Sequence, residues 1–165
     1  KMMGQNLIAD MKKRGVQKEI AYFNGTCYVH EEYTLDQLLA LKKQYPTAKV
    51  AAHPECRPEV CDHADFVGST SQMYDYLRKT NHDQFIMLTE CGLSARLCLE
   101  FPKKKIVGTC TFCKYMKSNT FDDIIRVLTH PLPRDYVHID PAIRERAKTC
   151  VENMFKYAEK STAHE

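Results

Sequence analysis

The feature that most constrains this chain is a rhythm of short apolar runs, each ending in a reactive or anion-binding group. Ile20 to Phe23 leads into Asn24-Gly25-Thr26-Cys27-Tyr28-Val29-His30-Glu31, and Lys49 to Ala52 into His53-Pro54-Glu55-Cys56. Asp65 to Val67 leads into Gly68-Ser69-Thr70, Phe85 to Leu88 into Thr89-Glu90, and Ile106 to Gly108 into Cys110-Thr111-Phe112-Cys113. Helix-length amphipathic stretches lie between the runs. Strands alternating with helices predict a parallel sheet with right-handed crossovers. Ligands bind outside the carboxyl ends of the strands in such sheets. The motifs are therefore expected to share one sheet edge and one pocket.

The intervening stretches carry helix signals. Leu7, Ile8 and Met11 form a helical stripe that stops at Gly15. Thr34 and Gln37 have capping-box spacing, ahead of an apolar face of Leu35, Leu38, Leu39 and Leu41. Pro58 to His63 is at most a short helix. Met73, Tyr74 and Leu77 point one helix inward, and Leu93 and Leu97 another. After Gly108 the rhythm changes. Thr120 caps a helix expected to turn Phe121, Ile124, Ile125 and Leu128 inward, and Pro131-Leu132-Pro133 breaks the chain. Asp140-Pro141 then opens a long helix with the stripe Ile143, Ala147, Cys150, Val151, Met154, Phe155 and Ala158. The fold class expected is α/β, a three-layer α/β/α unit with a short parallel sheet followed by a helical C-terminal segment. Residues 1–16 read as the tail of a preceding domain, 17–108 as the α/β domain, and 109–165 as a cysteine-pair loop plus helices that pack on another part of the protein.

Composition narrows the class. At 165 residues and 44% apolar content the chain can build one core. A net charge of +3 is too small to argue for nucleic acid, and Lys103-Lys104-Lys105 reads as a solvated loop. No apolar run approaches the ~20 residues of a membrane span. Eight cysteines in an α/β pattern, with no secretory segment, point to a reducing, cytoplasmic setting. There they serve as metal ligands, redox groups or core residues.

Each candidate has a chemical and a plain reading. Cys27 after a glycine turn is a thiolate candidate or a buried free thiol. His30 orients a substrate carboxylate or begins a helix. His53 and Glu55 suit proton transfer, or form a polar helix-entry turn. Gly68-Ser69-Thr70 opens a helix whose N–H groups and hydroxyls suit a phosphate or carboxylate, or caps that helix. Cys110 and Cys113 form a CxxC, which suits metal or redox chemistry and can close to a disulfide on oxidation. Cys61, Cys91, Cys98 and Cys150 read as packing.

Taken together, five stretches resemble the quinolinate synthase family. They are Gly25-Thr26-Cys27-Tyr28-Val29-His30-Glu31, His53-Pro54-Glu55-Cys56, Ala64-Asp65-Phe66-Val67-Gly68-Ser69-Thr70, Thr89-Glu90-Cys91-Gly92 and Cys113-Lys114-Tyr115-Met116-Lys117. The resemblance implies a pseudo-threefold enzyme of three similar α/β domains around a central pocket, with this chain as its C-terminal half. It implies condensation of iminoaspartate with dihydroxyacetone phosphate to quinolinate, in NAD biosynthesis. It also implies a [4Fe–4S] cluster on three cysteines, leaving one iron open as a Lewis acid. By the same resemblance Cys27 and Cys113 are cluster ligands, with Cys56 and Cys110 as alternatives. Glu55 is the acid–base carboxylate, His30 and His53 bind substrate, and Ser69 and Thr70 form the anion site. The implied partners are the missing N-terminal half and an L-aspartate oxidase or aspartate dehydrogenase that supplies iminoaspartate. On this reading the isolated chain is inactive. A metal- or thiol-binding α/β module without turnover is the alternative.

Overall fold

A computed structural model describes residues 1–162, with side-chain exposure defined as far as residue 156. Its helices are α1 (Met2–Lys13), α2 (Tyr28–Glu31), α3 (Leu35–Gln44), α4 (Pro58–Asp62), α5 (Thr70–Lys79), α6 (Cys91–Glu100), α7 (Phe121–Thr129) and α8 (Pro141–Thr162). Its strands are β1 (Lys49–Ala52), β2 (Phe66–Val67), β3 (Gln84–Leu88) and β4 (Lys105–Val107). They form one four-stranded sheet in the order β2-β1-β3-β4, parallel at every pairing. Contacts divide the chain into two compact units, Lys1–Ser118 and Asn119–Glu165.

The sheet of the first unit is covered on both faces, as the alternation along its strands requires. Val50, Ala52, Ile86 and Leu88 point into a cluster with Leu38, Val60, Tyr33 and Cys56, under α3 and α4. Ala51, Phe85 and Met87 point the other way, into a cluster with Met73, Leu77 and Leu97 of α5 and α6. The expected α/β/α layering is therefore present. The Thr34–Gln37 capping box is formed, and Gly15, at φ 72°, follows α1 in a conformation that a side chain disfavours.

Two expectations fail. Ile20 to Phe23 is not a strand: it has no ladder partner, and Phe23 is 89% exposed. An apolar run becomes a strand only where a neighbour takes up its N–H and C=O groups. Tyr22 instead lies on Gly4 of α1, where a Cβ would come within 2.7 Å of the ring.

The second lies in the second unit, where the α7 stripe forecast to turn inward is exposed. Phe121, Ile124, Ile125 and Leu128 of α7 are open to solvent, as are Ile143, Cys150, Val151, Met154 and Phe155 of α8. Ala158 lies outside the described side chains. The caps form as expected, Thr120 accepting from the Asp123 N–H and Asp140 from Ala142 and Ile143. Local signals thus make both helices without supplying a surface for their apolar faces. Among the described residues no helix is long and apolar enough to cross a membrane.

Candidate functional site

The carboxyl edge of the sheet gathers the motifs through strand register. Ala52 of β1 pairs with Val67 of β2 and with Leu88 of β3. His53 N–H donates to the Leu88 carbonyl at 3.1 Å, and Gly68 N–H to that of Ala52 at 3.1 Å. His53, Gly68 and Thr89 therefore leave adjacent strand ends. Cys27 reaches the same edge without a strand of its own. The turn α2 is held there by Tyr33, whose hydroxyl donates to the Thr89 carbonyl at 2.6 Å, and by Arg57, which donates to the Glu31 carbonyl at 3.0 Å.

There Cys27, His30 and Glu55 converge, their ligand-type atoms all within 4.8 Å of one another. The rings of His30 and His53 stack at 4.3 Å and 16°. Both face Glu55, whose Oε2 lies 3.1 Å from His30 Nδ1 and 3.6 Å from His53 Nδ1. His30 Nδ1 is buried, and among the described residues Glu55 is the only polar group recorded against it. Its Nε2 lies 3.3 Å from the Thr89 hydroxyl. Burial and the neighbouring His53 push His30 down to about 4, so the ring is neutral near pH 7; Glu55 opposes that shift. Burial also lowers His53.

Ser69 and Thr70 follow Gly68 on the same edge, with Ser69 as N-cap of α5. The Ser69 hydroxyl accepts from Gln72 N–H, and its own N–H donates to the Gln72 carboxamide at 2.8 Å. The plain reading, helix capping, is thus realised. No hydrogen bond joins Ser69 or Thr70 to Cys27, His30 or Glu55.

The cysteines sort by environment. Cys113 sits on the loop after β4, where the N–H groups of Met116 and Tyr115 lower its thiol. Cys56 is buried, its thiol donating to the Leu88 carbonyl, and burial pushes it up to about 12. Cys61 is half-buried and pushed up to about 11, again by burial. Cys98 and Cys150 are exposed, not packed as expected.

Cys110 is disulfide-bonded to Cys91, with 5.2 Å between their Cα atoms, and not to Cys113. The reading of Cys91 as a packing residue is thereby corrected. The cause is sheet register: Glu90 bridges Thr111 in parallel, and Cys91 N–H donates to the Thr111 carbonyl at 3.1 Å. That pairing sets the two cysteines side by side. Sequence reasoning placed Thr89 at the shared edge without giving it a role, and passed over Tyr28 and Tyr33 as site residues. Only adjacency to Cys27 marked Tyr28, and nothing in the sequence marks the contacts of Tyr33 and Thr89.

Comparison with known proteins gives one family and several relatives. The family model described as quinolinate synthetase A protein matches residues 1–156. Quinolinate synthase 1 of Mesorhizobium japonicum is 39% identical over 136 residues, covering 82% of this chain and 41% of that protein. Quinolinate synthase of Agrobacterium fabrum is 35% identical over 155 residues, covering 94% of this chain and 44% of that protein. Quinolinate synthase 2 of M. japonicum is 35% identical over 153 residues, covering 93% and 47%. The chain thus spans under half the length of these relatives.

Proposed function

The chain belongs to the quinolinate synthetase A protein family, and on that premise we propose that it is the C-terminal half of a cytoplasmic quinolinate synthase of NAD biosynthesis. The whole enzyme condenses iminoaspartate with dihydroxyacetone phosphate; phosphate and water leave as the pyridine ring of quinolinate closes. An L-aspartate oxidase or aspartate dehydrogenase supplies the iminoaspartate. One observation carries the reading: Cys27, His30 and Glu55 converge within 4.8 Å at the sheet edge where α/β enzymes bind ligands. The remaining pocket wall and a further cysteine ligand come from the N-terminal half, completing a pseudo-threefold molecule.

The residues present fit a [4Fe–4S] cluster held by Cys27 and Cys113 together with that further cysteine. Cys113 is lowered by backbone N–H groups, which favours the thiolate a cluster needs. Cys113 is preferred to Cys56, whose thiol burial pushes up to about 12, and to Cys110, which pairs with Cys91. When bound, the cluster supplies an open iron that acts as a Lewis acid on a substrate hydroxyl or carboxylate.

This chain's residues supply positioning and proton transfer. The neutral His30 turns its Nδ1 toward Glu55 on the substrate side of the site, while the Thr89 hydroxyl beside Nε2 steadies the ring. His53, stacked on it, presents a second imidazole to the same substrate carboxylate or phosphate. Glu55, facing both rings, accepts and returns the protons moved in enolisation and dehydration. Ser69 and Thr70 add anion binding at the start of α5, a helix long enough for its N-terminal N–H groups and dipole to favour phosphate.

The test is steady-state quinolinate formation by the full-length protein carrying Glu55→Gln. The variant keeps size and hydrogen-bonding reach but loses the proton acceptor. Cluster content is expected to stay at the wild-type level while turnover falls by at least ~100-fold. Near-normal turnover would remove Glu55 from the acid–base role.

A further inference from the structure

We propose that Tyr28 is a positioning residue for the cluster site, its hydroxyl locking the loop that carries Cys113 to the turn that starts at Cys27. The inference rests on the reading of these two cysteines as cluster ligands. Tyr28 directly follows Cys27 and opens α2. Its hydroxyl donates to the Phe112 carbonyl at 3.2 Å and accepts from Lys114 N–H at 2.6 Å. Those two groups flank Cys113 on either side. One side chain, next to one thiol in sequence, thus grips the backbone around the other.

Nothing apolar does this work in its place. Phe112, Tyr115 and Met116 are 65%, 68% and 62% exposed, so the loop buries little side chain that could fix it. Apart from the Cys91–Cys110 disulfide at its base, three residues before Cys113, its remaining ties are polar or electrostatic. Tyr28 meets Tyr115 edge to face at 5.9 Å, and the Lys114 ammonium stands 5.7 and 5.2 Å from the two rings. On the far side Cys91 N–H donates to the Thr111 carbonyl, and Glu90 Oε1 lies 3.5 Å from Cys113 N. The end of β3 therefore anchors the loop to the sheet, while Tyr28 anchors it to the Cys27 turn. Removing the hydroxyl leaves Phe112 and Lys114 to hydrogen-bond with water, because the site is exposed. The expected loss is therefore in the order of the loop, not in the stability of the sheet.

Hydrogen exchange on this chain tests the lock directly. In the wild type the Lys114 amide should exchange slowly for an exposed loop. Tyr28→Phe should speed exchange across 112–117 by about tenfold, the scale of one to two hydrogen bonds. The strands 49–52 and 84–88 should be unchanged. In the anaerobic, cluster-loaded full-length protein, the same substitution should speed removal of iron by a chelator several-fold. Tyr22→Phe serves as the control and should change neither readout.

An unprotected Lys114 amide in the wild type overturns the proposal without any variant. Unchanged exchange in Tyr28→Phe, or unchanged iron release, also overturns it. A rise in exchange throughout the strands would make Tyr28 a folding residue and reject the positioning role. Absence of iron from the anaerobic full-length wild type would instead overturn the cluster reading, leaving exchange to judge the lock.

Discussion

Cys56 and Cys113 carry the same side chain, and their surroundings give them opposite chemistry. Cys56 lies in the core beneath Leu88, where burial disfavours its thiolate. Cys113 lies on an open loop whose N–H groups stabilise the anion. Cys56→Ala should therefore cost roughly 1–2 kcal/mol of stability through the cavity it leaves and keep the iron. Cys113→Ala should abolish the cluster with little change in stability. Iron content and denaturant midpoints of the two full-length variants check this, and normal iron in Cys113→Ala would reassign the ligand. The motif His53-Pro54-Glu55-Cys56 marked both Glu55 and Cys56 as candidates. Only packing separates a carboxylate facing two imidazoles from a thiol turned into the core.

At the scale of the element, Ser69 illustrates how one residue serves two readings. It caps α5, and its loss by Ser69→Ala should cost about 1 kcal/mol whatever the site does. Ser69→Asp separates the roles, since aspartate caps equally well and suits the helix dipole. That variant should keep its thermal midpoint and raise KM for dihydroxyacetone phosphate in the full-length enzyme by about tenfold, from repulsion of the phosphate. An unchanged KM would reduce Ser69 to a cap.

The turn after α7 gives a pH-dependent case. Arg126 pairs with Asp135 through two bonds of 2.6 and 3.1 Å, and Leu132 N–H adds a third at 2.7 Å. Together they hold Asp135 down to about 2, below its ordinary 3.8. The unfolded chain takes up that proton first. The stabilisation is therefore present above the ordinary value and is lost as pH falls from there toward 2. Helicity of residues 119–162 should decline over that window, and Asp135→Asn should flatten the dependence when followed by circular dichroism.

For the whole molecule the contrast between the two units matters most. The first encloses its sheet on both faces, whereas α7 leaves Phe121, Ile124, Ile125 and Leu128 open to water. An exposed apolar stripe of this kind promotes association. Sedimentation of the 165-residue chain should show concentration-dependent self-association that Ile125→Glu with Leu128→Glu reduces, without shifting the midpoint of the sheet unit. Association unaffected by the pair would place the sticky surface elsewhere.

The sequence by itself determined the strands β1 to β4, the caps at Thr34, Ser69 and Thr120, and the gathering of His53, Gly68 and Thr89 at one edge. These follow from local periodicity, capping chemistry and the one-way geometry of parallel crossovers. The tertiary structure alone decided that Ile20 to Phe23 makes no strand, that Cys91 meets Cys110, and that Tyr28 reaches across to the Cys113 loop. Each of these depends on which distant group lies within hydrogen-bonding or bonding distance, and no local pattern of residues encodes that distance.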